Sequence, residues 1–387
     1  MRRIVFDERH EAYRKHVRAF LTDEVVPEYA EWEKAGAPPR SFWARAGAAG
    51  ILGVGIPVEY GGNPDTTFLH SAVFAEEAQA LGLAISGVRV QVDICAPYFL
   101  SYCTPEQRQR FLPRIASGDA LTAIAMSEPG AGSDMKSMVT WARRDGDRYI
   151  VNGAKTFISN GMNANLIVLA VKTDREAGRK GISLLVVDTE SFGGSSGGGA
   201  PRLSGFTRGK ALEKMGQKAQ DLAELFFDDA EVPVANRLGE ENNGFAYLTA
   251  NLAQERLSIA VNSQAAAVNA LAATIEAVQA QPGPAGQHTK FELASCHTDV
   301  AAGQALVDQA LAAHESGELS AADASMVKLY ATELQGRVVD RCVQVLGEKG
   351  LRKDSRLGRA YADARVARIF GGSSEIMRVI VSQSLGI

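Results

Sequence analysis

A glutamate stands in the middle of an apolar helix face. After Gly244, the residues Phe245, Leu248, Leu252 and Ile259 recur at helical spacing, and Glu255 fills the slot before the last of them. A carboxylate placed there is costly unless it is paired or protonated. Burial raises its pKa and makes it a stronger base, so the chemistry it suits is proton abstraction. Arg256 follows it but lies about 100° round the helix. The competing reading is a salt-bridged glutamate at the edge of the stripe.

Three other segments have residue types that could bind or react. RIFGGSSEIMR (residues 368–378) interrupts a helical region with Gly371 and Gly372, as if something packs too close for a side chain. Its one carboxylate, Glu375, lies beyond the turn. AMSEPGAGSD (residues 125–134) cannot be a regular element. Its glycines let backbone N–H groups approach a ligand, and its serines add hydroxyls, although an ordinary Pro-Gly turn reads the same way. KTFISNG (residues 155–161) places Phe157 and Ser159 two apart on a strand, hence on one face. An aromatic there could stack on a planar cofactor while the hydroxyl bonds a ring atom. The alternative is a half-buried strand with a surface serine.

The elements that must position these residues fall into three stretches, an α+β chain in the order helices, antiparallel sheet, helical bundle. Residues 1–120 read as helical, with Thr104 as cap and Pro105 opening one helix. The N-terminus reads as an amphipathic helix through Phe6, Tyr13, Val17 and Phe20. Residues 121–234 hold short β-rich runs separated by Gly, Asn and Asp turns, a barrel or sandwich. Within them, ESFGGSSGGGAPRLSG (residues 190–205) has the composition of a solvated loop. Residues 235–387 return to long Ala-rich helices with apolar stripes, which pack as a bundle.

Bulk composition narrows the function. With 387 residues, a net charge of −4 and a pI near 6.0, the chain has no sign of a nucleic-acid surface or a basic membrane anchor. It has no apolar run of membrane-spanning length, and its N-terminus turns charged too soon for a signal peptide. Four scattered cysteines argue against disulfides and fit a cytoplasmic setting. No His or Cys spacing suggests a metal site, and no nucleophile elbow supports a Ser-His-Asp centre.

Taken in order, AMSEPGAGSD, KTFISNG, KMGQKAQDLAELFFDDAEVP (residues 214–233) and RIFGGSSEIMR resemble four signatures of the acyl-CoA dehydrogenase family, across nearly the whole chain. The resemblance implies FAD lying between the sheet domain and a C-terminal four-helix bundle. It implies that Met126 and Ser127 meet the flavin edge, that Phe157 packs on the flavin and that Ser159 lies near its N5. Ser373 and Glu375 would lie beside the cofactor's pyrophosphate and adenylate. Ser133, Phe245, Arg256 and Gly372 would serve the acyl-CoA. Most members carry the catalytic glutamate where this chain has Gly371. A minority resembling long-chain and isovaleryl dehydrogenases carry it in a Glu-Arg-Leu motif, here QERLSIA. That points to Glu255 as base, with the Gly371 N–H as an oxyanion donor.

The implied reaction is oxidation of an acyl-CoA to the trans-2-enoyl-CoA, as in β-oxidation, with electrons leaving to an electron-transfer flavoprotein. The implied assembly is a homotetramer or dimer of dimers. A flavin oxidase, a carrier-thioester dehydrogenase and a non-catalytic partner subunit are the alternatives. Two departures fall on the half of the FAD site that a neighbouring subunit supplies, where Gln287, Gln344 and Gly347 match the family. No Arg-x-x-Phe-Gly precedes Gln287, and Glu348 replaces a glycine after Gly347. Losing that arginine removes a contact worth roughly 1.5–3 kcal/mol. A heteromer with a paralogue would make good the loss.

Overall fold

A computed structural model describes residues 3–189 and 203–387. The N-terminal layer comprises α1 (Glu8–Phe20), α2 (Tyr29–Ala35), α3 (Arg40–Ala48), α4 (Phe68–Ala80), α5 (Ser86–Arg89), α6 (Ala96–Tyr102) and α7 (Pro105–Ser117). Phe6 lies ahead of α1, because Asp7 caps that helix by accepting from the Arg9 and His10 N–H groups. Thr104 and Gln107 form a reciprocal capping box at the start of α7. Between α5 and α6 the chain makes a π-helical turn, Val90–Cys95, a widened turn often found at functional sites.

An eight-stranded sheet follows: β1 (Thr122–Ala125), β2 (Trp141–Asp145), β3 (Arg148–Ser159), β4 (Leu166–Lys172), β5 (Ile182–Asp188), β6 (Phe206–Arg208), β7 (Leu222–Pro233) and β8 (Arg237–Leu238). Its order is β6-β7-β3-β2-β4-β5-β8, with β1 pairing in parallel to β4. β4 and β5 are continuous apolar runs because both faces are covered. Leu166, Val168, Leu184 and Val186 pack with Tyr98, Phe99 and Phe111 of the helical layer. Ile167, Leu169, Leu185 and Val187 pack with Tyr149, Leu225 and Phe227 of the opposing strands. Of the expected solvated loop, residues 190–202 lie outside the described residues.

The C-terminal bundle is built from α8 (Gly244–Gln279), α9 (Gln287–Glu315) and α10 (Ala321–Leu346), then α11 (Glu348–Leu351), α12 (Arg356–Ala364) and α13 (Ser374–Ser384). Leu257, Ala260 and Val261 of α8 meet Val307 and Leu311 of α9 and Val327 and Ala331 of α10 in one core. Further along, Ala267 and Leu271 join Cys296, Val300, Leu334 and Val338. α4 packs into the first of these cores through Leu69, Ala72 and Ala75. The N-terminal layer thereby braces the part of α8 that carries Glu255.

Candidate active site

Glu255 is buried at 8 % exposure, between Leu248 and Ile259 on the inward face of α8. Its Oε2 has no hydrogen-bond partner. Burial holds its carboxyl above the ordinary range; the nearby charges of Arg256, Arg89 and Lys328 oppose that shift without cancelling it. The edge-of-stripe salt bridge is not what forms: Arg256, itself buried, turns into the α8–α10 seam and donates from Nη1 to Ser325 Oγ at 3.1 Å.

The turn of RIFGGSSEIMR comes to the same place. Gly371 has φ +62° and Gly372 φ +96°, a backbone that side chains disfavour. A Cβ on Gly371 would overlap the Ile259 Cδ1 methyl and stand 3.4 Å from Glu255 Oε1. A Cβ on Gly372 would stand 2.6 Å from Met377 Cε. The left-handed backbone favours glycine at both positions, and side chains of this chain also crowd them. Lys328 of α10, fully buried, holds the turn by donating from Nζ to the Gly372 carbonyl at 2.7 Å. Burial first, then Arg256, lowers its ammonium to about 8. Ser373 caps α13 by accepting from the Ile376 N–H at 3.4 Å. Ser374 donates to Glu333 at 2.7 Å. Glu375 is on the exposed first turn of α13, beside Arg378 at 3.8 Å.

Met126, Ser127, Phe157 and Ser159 form a second patch. The Thr156 N–H donates to the Ser127 carbonyl at 2.9 Å, which ties the AMSEPGAGSD loop to β3. Beneath it, Lys155 Nζ donates to Glu128 Oε1 at 2.8 Å and to the Met126 carbonyl at 3.2 Å. Glu128 also accepts from the Val139 and Thr140 N–H groups at 2.7 and 3.0 Å. Burial would raise its carboxyl, but Lys155 and these donors outweigh burial and hold it low. Phe157 and Ser159 do not share a face by simple alternation. The β3–β7 register slips between Lys155 and Ile158, and Phe157 takes φ +57°, so its ring stands 65 % exposed. Ser133 lies exposed further along the same loop.

Helix α5 bridges the two patches. Asn160, next to Ser159, donates from Nδ2 to the Gly87 carbonyl at 3.2 Å. Two residues on, Arg89 Nε donates to Ser258 Oγ at 3.2 Å, on the α8 turn after Glu255. Phe245 is half-buried at the start of α8, with the Arg179 guanidinium 5.6 Å from its ring centre. Gln287, Gln344 and Gly347 are not brought to this place. Gln287 opens α9 and Gln344 ends α10, both exposed, at the bundle end where α8 stops at Gln279. At ~1.5 Å per residue that end is about 36 Å along α8 from Glu255. Arg341, close by on α10, is engaged by Glu292 at 2.8 Å and Asp299 at 3.5 Å.

Sequence reasoning missed three contributors, Lys328, the Lys155–Glu128 pair and Arg89, and the closeness of Ile259 to Gly371. Lys328 was open to the argument that found Glu255, since Ala324, Ala331 and Gln335 share its helix face. Arg89 and Asp93, four apart among Val88, Val90, Val92 and Ile94, carried a similar signal.

Comparison with known proteins agrees across the chain. Models of the acyl-CoA dehydrogenase N-terminal, middle and C-terminal domains match residues 7–119, 123–230 and 242–386. The chain belongs to the acyl-CoA dehydrogenase family. The long-chain specific acyl-CoA dehydrogenase of Rattus norvegicus is 39 % identical over 99 % of this chain and 88 % of its own. A crystal structure of acyl-CoA dehydrogenase from Geobacillus kaustophilus superposes with a TM-score of 0.94 at 41 % identity, covering 100 % of both chains. A chain in the structure described as the electron transferring flavoprotein of Acidaminococcus fermentans gives 0.91 at 29 % identity, covering 98 % of each. Acyl-CoA dehydrogenases are FAD flavoproteins and oxidoreductases. The exposed Phe157 ring, on a strand locked to the Ser127 loop, fits a flat tricyclic ring system, and the loop offers backbone and hydroxyl partners for its edge.

Proposed function

We propose that this acyl-CoA dehydrogenase removes the α-proton and β-hydride of an acyl-CoA thioester to give the trans-2-enoyl-CoA, and passes the electrons to an electron-transfer flavoprotein. One observation carries the reading: a buried carboxylate with a raised pKa and an unengaged oxygen, set against the Gly371–Gly372 turn. Bound FAD supplies the hydride acceptor. Glu255 takes the α-proton on its unengaged oxygen. Its burial keeps water away and keeps it basic against the pull of the nearby cations. The Gly371 N–H, held by a turn that Lys328 pins through the next carbonyl, stabilises the developing enolate oxygen. Phe157, Met126, Ser127 and Ser159 seat the flavin ring, and Ser133, Phe245 and Arg256 serve the CoA side. The likeness to the Acidaminococcus fermentans chain supports the electron acceptor. Four buried, free cysteines are compatible with the cytoplasm.

Anaerobic titration with a panel of acyl-CoAs tests this, reading the flavin absorbance. Bleaching by at least one thioester is expected. No bleaching by any would remove the reading, and rapid reoxidation by O₂ alone would make the enzyme an oxidase.

A second reading, assembly with a paralogue, is favoured by Glu348. It is exposed at the bundle end beside Gln344 and Gly347, where a neighbour's FAD phosphates would meet a carboxylate. Expressing the chain alone and measuring bound flavin decides it. Full occupancy with normal turnover favours a homo-oligomer.

A further inference from the structure

Arg89 is a buried cation that the proposed chemistry does not use. It ends α5 at 5 % exposure, and Asp93 lies in the π-helical turn that follows, at 3 %. Ser258 stands between them. Its Oγ donates to Asp93 and accepts from Arg89 Nε at 3.2 Å. Ser71 of α4 donates to the other oxygen of Asp93. Asp93 is thus satisfied on both oxygens. Burial pushes its carboxyl up, and these hydrogen bonds together with Arg89 work against that.

Arg89 is not satisfied. Its Nη1 is buried and has no partner, and among the described residues no carboxylate is in direct contact with the guanidinium. The charges that act on it are those of Asp93 and Glu255, both buried. Ser258 is three residues beyond Glu255 on α8, so their Cβ atoms are about 5–6 Å apart. The open donor therefore belongs to a head group anchored one α8 turn from Glu255.

Resting on the dehydrogenase reading, we infer that Arg89 selects an acyl group bearing an oxygen acceptor, such as a carboxylate, keto or hydroxyl oxygen, a few carbons beyond the thioester. A methylene chain against a buried guanidinium N–H leaves that donor unpaired, whereas an oxygen pairs it. Sites built around such a donor reject analogues that lack its partner far more strongly than apolar pockets discriminate chain length.

The test compares CoA thioesters of matched length on the holoenzyme: adipyl-, 6-hydroxyhexanoyl- and hexanoyl-CoA, and the corresponding ten-carbon set. Anaerobic flavin reduction gives kcat/KM for each. The oxygen-bearing thioesters are expected to exceed the alkyl ones by at least about 100-fold at one length. Adipyl-CoA ahead of the hydroxy thioester assigns a carboxylate, and the reverse order assigns a neutral oxygen. Arg89→Lys should keep the preference. Arg89→Leu/Asp93→Leu, which removes the pair together and strands neither charge, should collapse or invert it. Equal or faster reduction by hexanoyl- and decanoyl-CoA in the wild type overturns the inference and leaves the dehydrogenase reading standing. No reduction by any of the six overturns the inference, and the wider acyl-CoA panel then decides the dehydrogenase reading separately. The wild-type comparison is decisive even if the double variant does not fold.

Discussion

Glu255 Oε1 lies 3.4 Å from the point where a side chain on Gly371 would begin. Residues more than a hundred apart in sequence thus address one position, the first from a helix and the second from a turn. A glutamate from either could reach a substrate carbon placed there. The Ile259 methyl stands where a side chain at 371 would begin, which accords with the proposal that α8 carries the base.

Replacing Glu255 with Gln should lower the rate of flavin reduction by acyl-CoA at least 100-fold while FAD stays bound. Stopped-flow bleaching at the wild-type rate would place the base elsewhere.

The pH dependence follows from the raised carboxyl of Glu255. The base must be ionised, so the acid limb of kcat/KM should fall above the ordinary glutamate value of about 4.3. Stability runs the other way. Between the unfolded pKa and the raised folded one the native state binds the extra proton, so wild type loses stability as pH rises through that window. Glu255→Gln has no charge to bury. It should match wild type at acid pH and melt higher at neutral pH, and equal melting temperatures throughout would contradict the shift.

Gly371→Ala must adopt φ +62° and displace Ile259. The left-handed backbone alone costs about 1–2 kcal/mol. In a double-mutant cycle read by urea unfolding, Gly371→Ala should cost less in an Ile259→Ala background than in wild type. An equal cost in both would mean that the methyl is not the obstacle. Gly371→Glu with Glu255→Gln should remain slow until Ile259 is also shortened.

Lys328→Met strands the Gly372 carbonyl and removes one of the cations that favour ionised Glu255. Flavin reduction should fall at least about tenfold, since a displaced catalytic group is costly. The acid limb should also move to higher pH. An unchanged pH profile would reduce Lys328 to a packing role.

Lys155→Met or Glu128→Gln leaves a buried partner uncompensated, which should cost about 3–5 kcal/mol in denaturant unfolding. Removing both together should cost less than the sum, as contacting residues do not add. FAD affinity should fall in the single variants, because the pair also holds the Met126 carbonyl.

The legible parts of the sequence were those governed by local rules. The three-part α–β–α order, the Thr104 cap and the carboxylate within the apolar stripe of α8 all follow from periodicity and capping. Where a second segment decides the outcome, the sequence was silent. Phe157 stands out because β3 slips against β7, a two-strand property that alternation along one strand cannot show. The two glycines read as room for a ligand, but their left-handed backbone and the nearness of Ile259 and Met377 depend on how the turn packs on α8 and α13. Arg89 and Lys328 were visible as charges in apolar company, but their partners come from other elements.

The Ile259 methyl also has an evolutionary consequence. A lineage that kept its base at position 371 and one that kept it at 255 would be separated here by more than one substitution. A single-step intermediate with glutamate at 371 meets the methyl, and one with Ile259 shortened first gains nothing until the glutamate arrives. On the proposed mechanism, moving the base between the turn and the helix would thus favour a coordinated change at three positions, 255, 259 and 371.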